Sequence, residues 1–214
     1  MLFHTQAFLL AFLPVTLAAY YGLARREEGD SLGGGTARRW TMIAASLVFY
    51  GYWDWRLIPL LVGSVAANWL LSLAAPRLLP LRMVVAMGVT ANLLLLAVFK
   101  YADFVVGSIE AVLGLKHDPF GIVLPLGISF FTFQQISYLV DLGRGPNGAQ
   151  GAPRYRFVDY ALWVVLFPHL IAGPIIRHHE IIDQFALHPL RPGWQERIAR
   201  GAVLLTLGIA KKVL

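Results

Sequence analysis

Cysteine does not occur in the 214 residues, and its absence rules out a disulfide framework, a thiolate nucleophile and any metal centre built on sulfur. Charge is scarce too. Asp, Glu, Lys and Arg make up 14% of the chain, where a water-soluble domain carries about a quarter. There is no phosphate-binding loop and no histidine array at ligand spacing, and nothing recurs at the period of a solenoid. Apolar residues fill the space instead: they are 57% of the sequence, with a mean hydropathy of +0.63, more apolar surface than a water-soluble fold can hide. The formal charge is +6. The basic residues stand in short gaps between apolar runs, which points to membrane orientation and away from nucleic acid.

Measured against the roughly 20 residues a helix needs to cross the hydrocarbon core, apolar segments fall near 5–23, 40–53, 57–75, 83–101, 121–142 and 157–173, and a further one opens at 201–214. The chain is therefore expected to be an all-α membrane protein, a polytopic bundle of transmembrane helices. The first segment has no Lys or Arg ahead of its apolar core and outruns a signal peptide, so it reads as a retained span. The second ends in Tyr50, Tyr52, Trp53 and Trp55, side chains suited to a membrane interface. Three gaps on one side hold Arg25, Arg26, Arg38 and Arg39, then Arg77 and Arg82, then Arg144, Arg154 and Arg156; the opposite gaps hold Arg56 and Lys116. Positive charge gathers on the cytoplasmic side, which predicts an extracytoplasmic amino terminus.

The sixth segment breaks this pattern. If it crossed fully, Arg177, Arg191, Arg197 and Arg200 would lie outside. The run FPHLIAGP from Phe167 to Pro174 puts two prolines and a glycine where a span should be continuous. Proline removes a helix hydrogen bond and frees a carbonyl, and such backbone survives at membrane depth only beside protein or a wet cavity. A re-entrant segment over 157–173, returning to the cytoplasmic side, resolves both conflicts. The connectors RREEGDSLGGGTARR and GRGPNGAQGAPRYR read as flexible linkers.

On a helix through Leu124 to Asp141, the side chains of Gln134, Ser137, Tyr138 and Asp141 share one arc, and Ile128, Thr132, Ile136, Leu139 and Val140 lie opposite. An Asp at the centre of a span costs roughly 3 kcal/mol, so such groups face a bundle interior or a water-filled cavity. The stripe either joins helices by hydrogen bonds or lines a substrate path. Among the histidines, His4, His117 and His188 are expected at span edges or in solvated loops. His178 and His179 precede Glu180, but adjacent histidines point apart on a helix and no metal site is expected. His169 lies inside the proline break, either bonded to backbone or lining a channel.

The strings LPLGISFFTFQQISYLVD (124–141) and FVDYALWVVLFPHLIAGPIIRHHEI (157–181), with SLVFYGYW (46–53), FKYADF (99–104) and GIAKKVL (208–214), closely resemble the bacterial, alginate-acetylating branch of the membrane-bound O-acyltransferase family over nearly the whole chain. The resemblance implies that residues 1–214 form the amino-terminal part of one transmembrane domain, truncated at the carboxy end. It implies an inner-membrane enzyme that passes an acyl group from a cytoplasmic thioester, acetyl-CoA or another, through a central channel to a hydroxyl of an extracytoplasmic polysaccharide. A separate acyl-accepting partner protein is expected outside, with no bound cofactor. The family's catalytic histidine belongs to the carboxy-terminal half, so no catalytic residue is expected before Leu214 and the piece alone is expected to be inactive. Gln134, Ser137, Tyr138, Asp141, His169, Gly173, Pro174 and Arg177 become the substrate-channel candidates. Arg177 could meet a phosphate of the donor or anchor the cytoplasmic face, as could Lys211 and Lys212. A transporter or flippase is the competing reading, since broken helices and polar stripes also mark transport paths.

Overall fold

The structure, a computed structural model, describes residues 3, 5–27, 35–74, 78–114, 121, 123–144, 154–171, 173 and 176–213. All regular structure among them is helical. Helix α1 (Leu13–Arg26) continues from a π-helical stretch, Ala7–Phe12. Helix α2 (Thr36–Asp54) starts behind Gly35, whose φ of 77° is left-handed, and so begins four residues before the apolar segment at 40–53. Asp54 is extended, and its carboxylate accepts from the Arg56 N–H at 2.9 Å, capping a 3-10 turn, Trp55–Leu57, that separates α2 from α3 (Ile58–Ala74).

Helix α4 (Leu81–Val112) is 32 residues long, eleven beyond the apolar segment that ends at 101. Lys100 and Asp103 mark a change in polarity there, but backbone hydrogen bonding tolerates a polar surface and the helix runs on. Helix α5 (Ile128–Arg144) starts later than the apolar run at 121–142, because Gly127 has a φ of 72° and Pro125 has no N–H to give. The segment 157–173 is broken next to Pro168. It holds α6 (Phe157–Val165), an extended Leu166, and α7 (Phe167–Leu170). Helix α8 (His178–Ile181), a 3-10 turn at Ile182–Ala186 and α9 (Trp194–Val213) complete the chain.

Among the described residues three helical stretches are long and apolar enough to cross a bilayer: Ala7–Arg26, Thr36–Ala74, which takes in α2 and α3, and Leu81–Val112. At 1.5 Å per residue α6 is about 14 Å long, less than half the hydrocarbon core. It lies inside the protein instead. Val158 and every residue from Tyr160 to Val165 are buried, as expected of a helix that is apolar all round, and α2, α3 and α5 pack about it. Asp159 in its first turn suits the positive end of the helix dipole and meets Arg39 of α2 at 2.8 Å. Helix α9 begins at Trp194, before the apolar run at 201, and Ile198, Val203, Leu204 and Leu207 along it are exposed.

A second cluster joins the amino-terminal segment to α2 and α7. The rings of Phe8, Phe12, Phe49 and Phe167 pack with centroids 5.2–6.1 Å apart. Beside them the Phe167 N–H, which has no partner within α7, donates to the Ser46 hydroxyl at 3.1 Å, and that hydroxyl donates to the Met42 carbonyl at 2.7 Å. Ser46→Ala leaves a buried N–H without an acceptor, a loss of about 1–3 kcal/mol. Thermal unfolding of the detergent-solubilised full-length protein should show it; an unchanged midpoint would mean that the Phe cluster alone seats α7.

Candidate functional site

Helix α5 runs between α3, α4 and α6, and this placement decides where its polar stripe goes. Gln134 and Tyr138 are buried, Ser137 is half-buried, and the Asp141 side chain is 28% exposed. Most of the opposite arc is covered too: Ile128, Thr132 and Leu139 are buried, and Ile136 and Val140 are half-buried. The reason is close helix packing. Gly88 of α4 has no side chain and Leu139 occupies that space, so α4 closes over the apolar arc. Gln135, which lies between the two arcs, donates to the Ser64 hydroxyl of α3 at 3.0 Å and to the Phe131 carbonyl at 3.1 Å. One helix away, Asn92 of α4 donates to the Asn68 side chain of α3 at 2.6 Å. The Gln134 Oε1 is buried without a hydrogen-bond partner among the described residues.

At the carboxy-terminal end of α5 three separate segments converge. The Tyr155 hydroxyl lies 2.8 Å from His178 Nδ1, and His178 Nε2 lies 3.5 Å from Asp141 Oδ2. A carboxylate only accepts, so the proton belongs on Nε2, facing Asp141, and Nδ1 accepts from the Tyr155 hydroxyl. His178 is buried on all sides. The Tyr138 ring meets it edge-on at 5.4 Å, and Trp163 does so at 6.1 Å. Burial is the main influence lowering the His178 pKa below its ordinary 6.5; Asp141 opposes the shift, and His179 and Arg177 add to it. The imidazole is therefore neutral near pH 7, in the tautomer both neighbours require. Burial, with Asp183 and Tyr138, raises the Tyr155 phenol to about 12, which keeps it a donor.

The local sequence places these groups. Trp69 of α3 donates its indole N–H to the Tyr155 carbonyl at 3.1 Å, which fixes the entry into α6. Trp163 donates its own to the Ile176 carbonyl at 3.2 Å, two residues before His178. The Trp163 carbonyl in turn receives the Nε2–H of buried His169 at 2.7 Å. Thus α6 ties the proline break to the Asp141–His178–Tyr155 group.

Of the candidates read from sequence, Tyr138, Asp141 and His169 come together through Trp163 and His178. Gln134 lies two helical turns from Asp141, Gly173 packs against His169, and Arg177 is exposed. Pro174, His4 and His117 lie outside the described residues. His188, expected in solvent, instead donates to the Ala24 carbonyl at the end of α1 at 3.1 Å. His179 and Glu180 are exposed beside buried His178, and among the described residues no three His, Asp or Glu side chains are placed to share a metal ion. Sequence reasoning passed over His178 and Tyr155 as site residues. The His-His-Glu run is a visible signal, but the pattern suggests a metal site and does not mark one of its rings as buried. A cavity between α1, α2 and α6 and a groove between α3 and α4 are both lined by residues other than the α5 stripe.

A neutral imidazole held between a phenol and a carboxylate can take a proton on one nitrogen and release it from the other, or hold its neighbours in one orientation. The group lies where α5 meets the Arg-bearing side of the bundle.

No protein-family model matches the chain, and no solved structure does. Curated relatives do. A peptidoglycan O-acetyltransferase of Helicobacter pylori is 34% identical over 236 residues, a stretch that takes in 100% of this chain and 44% of that protein. A probable alginate O-acetylase of Pseudomonas aeruginosa is 36% identical over 221 residues, covering 100% of this chain and 39% of that protein, and one of Pseudomonas syringae is 34% identical over 223 residues with the same shares. The chain thus spans about two-fifths of the length of the curated relatives it matches.

Proposed function

We propose, because the chain belongs to the membrane-bound O-acyltransferase family, that the whole protein is an O-acetyltransferase acting on an extracytoplasmic polysaccharide. The observation that carries this reading is the match along the full chain to relatives named for peptidoglycan and for alginate. An acetyltransferase for either polymer needs an acyl donor and a sugar hydroxyl to receive the group. The part of the protein in hand therefore serves a step common to both: taking the acyl group from its donor and conducting it. Acetyl-CoA or an equivalent thioester supplies that group from the cytoplasm of a bacterium. The inner membrane holds the protein with its amino terminus outside, and a separate extracytoplasmic protein receives the group on its way to the glycan.

In this proposal the segment 157–173 dips into the membrane and returns. Gln134, Ser137, Tyr138, Asp141, His169 and Gly173 border the acyl path, and Arg177, exposed at its cytoplasmic mouth, meets a donor phosphate. The base that acts on the acceptor hydroxyl lies in the part of the protein beyond Leu214, so residues 1–214 alone give no turnover. Asp141, His178 and Tyr155 hold the donor end in shape. His178 is a positioning residue.

Full-length protein reconstituted in proteoliposomes should consume acetyl-CoA only when polysaccharide or accepting partner is supplied on the opposite face. Passage of an intact solute with the thioester unspent would place the protein among transporters and overturn the reading.

A further inference from the structure

Away from the α5 site, α1, α2 and α6 enclose a cavity of about 230 Å³, room for about eight groups of water size at roughly 30 Å³ each. Its lining is graded. Leu13 and Leu17 of α1 with Leu166 and Phe167 form one end; Tyr20, Tyr21, Arg38 and Arg39 form the other. The grading follows the chain. Tyr20 and Tyr21 lie about two helical turns beyond Leu13, toward the end of α1 that carries Arg25 and Arg26, and Arg38 and Arg39 open α2 at that same end. Arg38 confirms the juxtaposition: it is buried, pairs with Glu27 just past α1, and its guanidinium stands 5.6 Å over the Tyr20 ring.

Arg39 supplies the decisive detail. One terminal nitrogen stands 2.8 Å from Asp159 Oδ1, an ion pair whose carboxylate oxygen receives no hydrogen bond among the described residues, and the other donates to the Phe185 carbonyl at 3.4 Å. Between these contacts the Nε–H is buried with no acceptor among the described residues. A buried donor in that condition costs about 1–3 kcal/mol, and an oxygen brought by a ligand would recover it. At the other end Leu17 is 44% exposed, so the apolar part of the cavity opens on the outer face of a membrane-spanning helix. Among the described residues that face is left open, and in a bilayer it is lipid that such a face meets.

The geometry points to a glycerophospholipid seated here, its phosphodiester oxygen on Arg39 Nε and a stretch of acyl chain along Leu13, Leu17, Leu166 and Phe167. Because Glu27 and Asp159 already balance the two arginines, the phosphate enters as a hydrogen-bond acceptor and not as a counter-charge. The site then needs a phosphodiester but does not choose sharply between zwitterionic and anionic headgroups. The inference stands apart from acyl transfer and does not use the Asp141–His178–Tyr155 group.

The test uses full-length protein in nanodiscs containing a trace of lipid with a diazirine in its acyl chain, as phosphatidylethanolamine, phosphatidylglycerol or diacylglycerol, with labelled residues mapped by mass spectrometry. Both phospholipids should label the Leu13–Leu17 and Leu166 peptides at least fivefold more densely than the exposed outer face of α4 at Leu94 and Phe104, and diacylglycerol should lose most of that excess. Leu17→Trp, at a partly exposed position, should bring the labelling down to the α4 level with folding intact. Arg39→Lys keeps a charge for Asp159 but removes the Nε donor, and should erase the preference for phospholipid over diacylglycerol. Labelling no denser than on α4, equal labelling by diacylglycerol, or displacement by acetyl-CoA would each overturn the assignment; the last would give the cavity to the thioester.

Discussion

Full-length protein carrying His178→Ala is expected to lose about 10- to 100-fold in kcat/KM for transfer, the scale set by small misplacements of reacting groups. The substitution strips two partners at once. Tyr155 keeps a hydroxyl proton with nowhere to donate it, and Asp141 loses the imidazole that faces it at 3.5 Å. Tyr155→Phe removes one hydrogen bond worth about 1 kcal/mol, roughly a fivefold change, and should add little on top of His178→Ala, because groups in one network do not act independently. His178→Gln, which can still accept and donate, should recover most of the activity. Full activity in the alanine variant would show that the donor end is held without this group.

The same histidine sets an acid limit. Its folded pKa lies below the ordinary 6.5, chiefly through burial, so in the acid range the unfolded chain binds the proton more readily. The stability it contributes is complete above pH 6.5 and is lost as pH falls from there through the lowered folded value. Thermal midpoints of the wild type should decline over that interval more steeply than those of His178→Gln. Parallel curves would assign the acid sensitivity to other groups.

Gly127→Ala is expected to destabilise by about 2–5 kcal/mol, from two causes that can be separated. Gly127 has a φ of 72°, a conformation that costs a residue with a Cβ about 1–2 kcal/mol. An added methyl would also run into the Leu170 carbonyl, which is backbone and not the far end of a flexible side chain, so the clash adds about 1–3 kcal/mol. Gly114 provides the comparison. Its φ is 69°, yet nothing lies within 4 Å of the position a Cβ would take, so Gly114→Ala should show the conformational cost alone. Chemical denaturation of both variants would resolve the difference. Equal losses would mean that α7 yields and the contact with Gly127 does not hold the break in place.

How much of this was written plainly in the sequence depends on the range over which the residues act. The break at Leu166 could be read because Pro168 acts on its immediate neighbours. The stripe on α5 could be read because four polar side chains recur at helical spacing within eight residues. The late start of α5 also had its signals, Pro125 and Gly127, but hydropathy extends the apolar run across them. Burial of both arcs of α5 was hidden, since it depends on Gly88 in another helix. The Asp141–Tyr155–His178 group was hidden for the same kind of reason. Its members come from α5, from the entry to α6 and from α8, and no periodicity connects them; only the indole bonds of Trp69 and Trp163 bring them to one place.

The length of α4 has a mechanical result. Its 32 residues measure about 48 Å along the axis, while the hydrocarbon layer is roughly 30 Å deep. Inclined at 40°, near the steepest angle such helices adopt, it would still rise about 37 Å. Some of the turns between Tyr101 and Val112 must therefore stand clear of the oil as a stiff post, whose free height shrinks as the surrounding lipids grow longer.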